Sequence, residues 1–265
     1  MKRTLLTSGV LLCLCMPLAF IHSCTWGKNR AALQAPKKEQ ITASGTTAGS
    51  GNRTASRNGA SGRVKARGSP TPFHSEGDAK FTANTEILTI GSSPVRWPEF
   101  YFWLRFIEKH YRKFHRIDRI SDWRTRQNGM PLKAFFLSSA VEYACLERAI
   151  EAKARELGLE LSSADEAQIA QVKEKRSKIY GRTEYLRIIR REYVSEEVFA
   201  YLTRMDHLGK RLYTLLYGEN GEKCPEENVS ACQKLFRSQV EEWCAGLEIA
   251  YTEAYRKIDP ELLFR

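Results

Sequence analysis

MPLKAFFLSSAVEYACLERAIEAKARELG, residues 130–158, decides the fold. Proline just inside a helix start loses no hydrogen bond, because that N–H has no helical partner anyway. Leu132, Phe136, Ser139, Tyr143, Leu146, Ile150, Ala154 and Leu157 then recur three or four apart. That is one face of a long helix, with Glu142, Glu147, Arg148, Glu151 and Arg155 mostly on the other. Gly158 supplies a left-handed stop.

The pattern restarts at once. Ser162-Ser163-Ala164-Asp165-Glu166 holds a serine with an acid three residues on, a capping box in which each side chain serves the other's backbone N–H. The helix it opens is heavily charged, with only Ile169, Val172 and Ile179 as an apolar edge, which places it on the outside. Thr183 is positioned to cap a short helix carrying Leu186, Ile189 and Tyr193. Ser195, with Glu196 and Glu197 behind it, caps another, because acids in a first turn complement the helix dipole. Its stripe is Val198, Leu202, Met205, Leu208, Leu212 and Leu215, ending at Gly218. None of these helices can bury its stripe alone, so they must pack together. The expected fold class is mainly α.

The run Ala154-Arg155-Glu156-Leu157-Gly158-Leu159, restarting at Leu161-Ser162-Ser163-Ala164-Asp165-Glu166, resembles a passage of SurA-type extracytoplasmic chaperones. Val194-Ser195-Glu196-Glu197 is similar to a second helix start in that family. The resemblance covers roughly residues 84–265 and rests on the order of elements. It implies a SurA-type helical chaperone domain, akin to the foldase PrsA, with a small β-sheet from the chain ends.

The chain opens with Lys2 and Arg3 before an uncharged run from Leu5 to Ile21, the layout of a secretory signal. Ile21-His22-Ser23-Cys24 resembles the lipobox of bacterial lipoproteins, implying a signal over 1–23 and lipid on Cys24. His22 departs from the usual small or aliphatic residue. An uncleaved membrane anchor is the alternative, since the run is just long enough to span, although Pro17 interrupts it. Residues 24–83 are rich in Gly, Ser, Thr and Ala without apolar pattern, the composition of a flexible linker. They carry ten Lys or Arg against three acids, so most of the +11 formal charge lies there. Such a segment beside an anchor favours anionic headgroups.

Residues 84–265 make the expected folded unit. Glu86–Ile90 reads as a strand, with a turn at Gly91–Pro94 and a return at Val95-Arg96. Pro98 opens a helix, after which Arg112–Gly129 reads as an irregular connection. A last helix starts near Pro225 and presents Cys232, Leu235, Phe236, Val240 and Trp243 on one face. After Gly246, alternating Leu247, Ile249 and Tyr251 suit a strand that pairs with Glu86–Ile90; continued helix is the alternative. Tyr255-Arg256-Lys257-Ile258-Asp259-Pro260 is similar to the close of foldase lipoproteins.

Catalytic chemistry finds little support. Where SurA-like chains carry a parvulin isomerase, it sits between the helix ending near Tyr217 and the final helix. Such a domain needs about 100 residues, and the connection from Gly218 to about Cys224 is far shorter; parvulin motifs are absent too. No Gly-x-Ser-x-Gly elbow or glycine-rich phosphate loop occurs. His110 and His115 are five apart, off the four-residue spacing of helical metal ligands, and Asp118 and Asp122 complete only a solvated basic stretch. His207 beside Asp206 reads as a surface pair. No catalytic residue, metal or cofactor is expected. Phe100, Trp103, Leu104 and Ile107 oppose Arg105, Lys109 and Lys113 on a helix, an ordinary amphipathic pattern rather than a nucleic-acid surface. Of the seven cysteines, Cys224 and Cys232 flank a helix start and can close a small disulfide loop. Cys145 and Cys244 read as buried thiols.

The sequence therefore suggests a membrane-tethered extracytoplasmic binder without isomerase activity. It would hold unfolded or newly exported polypeptides in an apolar groove built from Phe135, Tyr143, Phe199, Leu202 and Met205. An adaptor with one dedicated partner and an atypical peptidyl-prolyl isomerase are the alternatives.

Overall fold

A computed structural model of the chain describes residues 81–218 and 229–264. The signal, Cys24, the linker as far as residue 80, Cys224 and the start of the last helix near Pro225 lie outside the described residues. The last residues assigned to the linker belong to the fold instead, Phe81 being buried with its ring 4.6 Å from that of Trp97. The described part is mainly helical, with a small antiparallel sheet.

Strands β1 (Glu86–Ile90) and β2 (Ser93–Arg96) form a hairpin that turns at Gly91, whose φ of +58° is open to glycine. Helix α1 follows at once (Trp97–His115), with Pro98 in its first turn. It runs four residues into the stretch expected to be irregular and stops where Arg116 turns left-handed, the Ile117 N–H reaching the Arg112 carbonyl at 3.1 Å. The connection is also more ordered than expected. β3 (Arg126–Gln127) and β4 (Met130–Pro131) pair across Asn128 and Gly129, both with positive φ, as a two-residue hairpin turn requires.

Helix α2 (Leu132–Glu156) is the axis of the fold, covered by α1, by α5 (Glu196–Tyr217) and by α6 (Val229–Ala245). Because it is surrounded, Glu147 and Arg148 are buried along with the apolar residues, against the expectation that both face water. Between α2 and α5 lie α3 (Ser163–Tyr180) and α4 (Arg182–Tyr193). The capping box forms, with Asp165 accepting from the Ser162 N–H at 2.8 Å, and α3 buries no residue. Thr183 does not cap α4: Gly181, with φ of +74°, holds that position, and no side chain closes the end. Ser195 does cap α5, accepting from the Val198 N–H at 3.2 Å.

After α6 the chain returns to the sheet. β5 (Ile249–Tyr251) pairs antiparallel with β1, Leu88 opposite Tyr251 and Ile90 opposite Ile249, giving the order β2-β1-β5. Two short helices close the described chain, α7 (Glu253–Arg256) and α8 (Pro260–Leu263). The sheet thus joins the two ends of the folded part, as the alternation around Ile249 predicts.

Apolar side chains collect in three clusters. The largest lies among the sheet, α1 and the first half of α2, around Trp97, Trp103 and Phe136. A second fills the space among α2, α5 and α6, and a third joins Tyr185, Ile189 and Phe199. Three expected stripe members stay outside: Leu157, Leu215 and Leu235 are 41%, 51% and 48% exposed. Cys145 and Cys244, expected as free thiols, are instead disulfide-bonded, clamping α2 to the end of α6. Cys232 is also in a disulfide.

Among the described residues, no helix is long and apolar enough to cross a membrane.

Candidate functional site

Where α2, α5 and α6 meet, their apolar faces leave an open cavity of about 270 Å³. The wall is read directly from helical spacing. From α2 come Leu146, Glu147 and Ile150; from α5, positions 202, 205, 206, 209, 210, 213 and 214; from α6, positions 233, 236, 237 and 240. Each set repeats every three or four residues, so each is one helix face. Gly209 is among the lining residues. A side chain begun there would first meet Ile150 Cδ1 at 3.7 Å, ordinary contact, so glycine is not imposed by crowding. Its effect is to leave volume.

The five residues expected to form one groove do not converge. Leu202 and Met205 line the cavity. Phe135 is buried in the largest cluster, near Tyr111 and Phe136. Phe199 belongs to the third cluster, its ring 4.8 Å from that of Tyr193. Tyr143 stacks on Trp103 with ring centres 5.0 Å apart, and packs against both larger clusters. Three of the five are therefore packing residues, and the groove is built on α6 instead, through Phe236 and Val240.

Two carboxylates interrupt the apolar wall. Glu147 is only 6% exposed, and its Oε2 has no hydrogen-bond partner among the described residues. Asp206 gives one oxygen to Lys210 at 3.0 Å and keeps the other, Oδ1, buried and unbonded. Burial raises both acids. Glu147 is pushed up to about 8 by desolvation, with the nearby Glu99 adding repulsion that Arg148 only partly offsets. Asp206 rises through desolvation, opposed by Lys210. Asp206 is thus not half of a surface pair with His207, whose Nδ1 instead lies 3.7 Å from Asp165.

Both terminal nitrogens of Arg148 donate hydrogen bonds, while its buried Nε has no partner among the described residues. The terminal nitrogens donate to Glu99 at 2.8 Å, to the Pro94 carbonyl at 3.1 Å and to the Tyr201 hydroxyl. Desolvation lifts Glu99 to about 7 despite that partner. The other candidate residues stay apart from the cavity. His110 bonds the Phe106 carbonyl at 2.8 Å, and His115 stacks near Tyr111. No cluster of three metal-ligating side chains occurs among the described residues.

The arrangement can hold an apolar group with a polar end; it offers no nucleophile paired with a base. No protein-family model, curated protein or solved structure matches the chain.

Proposed function

We propose that this chain is a tethered extracytoplasmic binder of polypeptides, related in kind to SurA-like chaperone domains and lacking their isomerase. The observation that carries the reading is the cavity among α2, α5 and α6, which the protein's own side chains leave open. An apolar concave site with few polar groups is the usual form of a binding pocket. Its volume accommodates a side chain or two, so each contact is weak and reversible, as holding requires. The disulfides at Cys145–Cys244 and Cys232 support an oxidising compartment, in line with the signal-like start of the sequence. The basic linker then keeps the domain near anionic lipid.

A second reading is favoured by Glu147 and Asp206. Polar groups placed inside so small a site discriminate among ligands, which suits an adaptor with one dedicated partner. Suppression of aggregation of several unrelated denatured proteins separates the two. The holding reading expects suppression for all of them, lost in Gly209→Leu, whose side chain fills the cavity. Activity toward none of them favours the adaptor.

A further inference from the structure

We infer that the cavity takes a basic side chain of the bound polypeptide, lysine above all, with its nitrogen on Glu147 and Asp206 and its alkyl stem on the apolar wall. This deepens the proposed function and rests on it. Two independent features point to such a ligand: the shape of an open apolar site, and two carboxylates at its wall, each with a buried oxygen that has no hydrogen-bond partner among the described residues.

The acceptors come first. Glu147 lines the cavity while buried, and its Oε2 lacks a partner among the described residues; Asp206 Oδ1 is in the same condition on the facing helix. A buried carboxylate without a hydrogen bond costs several kcal/mol or loses its charge. Both atoms are acceptors when ionised, so the group that answers them carries N–H donors, and a cationic donor makes the stronger bond.

Surrounding charge points the same way. Glu147 is faced by Glu99 from α1, Glu151 from its own helix and Asp206 from α5, against Arg148 on α2. The terminal nitrogens of Arg148 are already given to Glu99, Pro94 and Tyr201. The other cations at the wall are also paired, Lys210 with Asp206 and Arg237 with Glu241 at 2.9 Å. Once Glu147 has given up its proton, above about pH 8, the site therefore has room for one more positive charge. An aliphatic ligand would leave both oxygens unbonded, and an acidic one would add repulsion.

A lysine side chain meets both demands, because its stem buries along carbon while its ammonium seeks acceptors. Leu146, Ile150, Met205 and Val240 supply the carbon. The alkylammonium chemistry could also come from a small free amine; polypeptide is the committed source, since the proposed function supplies such chains.

The test uses the folded chain and nonapeptides of Gly, Ala and Ser with lysine, norleucine or glutamate at the centre, plus n-hexylamine, at pH 8.5. There lysine still carries its charge, whose usual pKa is about 10.4. The lysine peptide is expected to bind about tenfold more tightly than the norleucine peptide, with no binding of the glutamate peptide. Glu147→Gln and Asp206→Asn should each erase most of that preference. Equal affinity for lysine and norleucine overturns the cation inference while the pocket reading survives. Binding of n-hexylamine without the lysine peptide overturns the polypeptide source. Failure of every probe removes the pocket reading itself.

Discussion

Cys145 of α2 and Cys244 at the end of α6 are disulfide-bonded, their Cα atoms 5.7 Å apart across 99 positions of sequence. A cross-link that closes a loop of this length removes much unfolded-state freedom, worth about 4–5 kcal/mol in the chain-entropy account. The double variant Cys145→Ala/Cys244→Ala is expected to melt roughly 10 °C lower. Calorimetry of the two proteins checks this. An unchanged midpoint would mean that α6 is held by packing alone.

Arg148 and Glu99 are the most buried ion pair in the described fold. Removing one partner of such a pair leaves a charge without an answer, a loss of about 3–5 kcal/mol. Arg148→Met should destabilise by that order in urea unfolding, and adding Glu99→Gln should recover part of it. Lys178→Ala, which breaks the exposed pair with Glu174, should fall within about 0.5 kcal/mol of the parent.

The buried acids set a pH dependence. Glu147 titrates near 8 and Glu99 near 7 in the folded chain, both raised from 4.5 by burial. Between 4.5 and those values the folded state keeps protons that the unfolded chain has released. Stability from these groups is therefore full below about 4.5 and declines as pH rises through 7 and 8. Urea midpoints measured from pH 5 to 9 should fall. Glu147→Gln should flatten the upper part of the decline and leave the part due to Glu99.

Gly209 sits inside α5, where glycine costs about 1 kcal/mol relative to alanine. The added methyl would meet Ile150 at ordinary distance. Gly209→Ala should thus raise stability by about 0.5–1 kcal/mol while narrowing the cavity. Gain of stability with weaker peptide binding, measured on the same sample, is the expected outcome.

Much of this architecture could be read from residue spacing. The stripe from Leu132 to Leu157, the serine-acid box near Ser162, the Ser195 cap and the alternation around Ile249 are local signals, and each forms apart from Leu157, which the helix end leaves exposed. Asn128-Gly129 carried an equally local hairpin signal that is easily lost in a basic stretch. What spacing cannot supply is the neighbour of each face. Glu147 and Arg148 sort to the polar side of their own helix, yet α2 is enclosed by three others, so that side is covered too. The same ignorance hides the cavity, whose wall joins three helices from separated parts of the chain. It also hides the Cys145–Cys244 link, because cysteine count alone fixes no pairing. Phe135 and Phe199 look like groove residues for a related reason: an aromatic on a stripe reads alike whether it meets core or ligand.

The central claim is that polypeptide binds among α2, α5 and α6. Its most direct test is mapping of backbone amide shifts as a lysine-containing unfolded client is added to the isotope-labelled chain. The account predicts shifts centred on Glu147, Met205, Gly209 and Phe236, absent in Gly209→Leu. Shifts confined to other surfaces, such as the exposed Phe114, or surviving unchanged in Gly209→Leu, would contradict it.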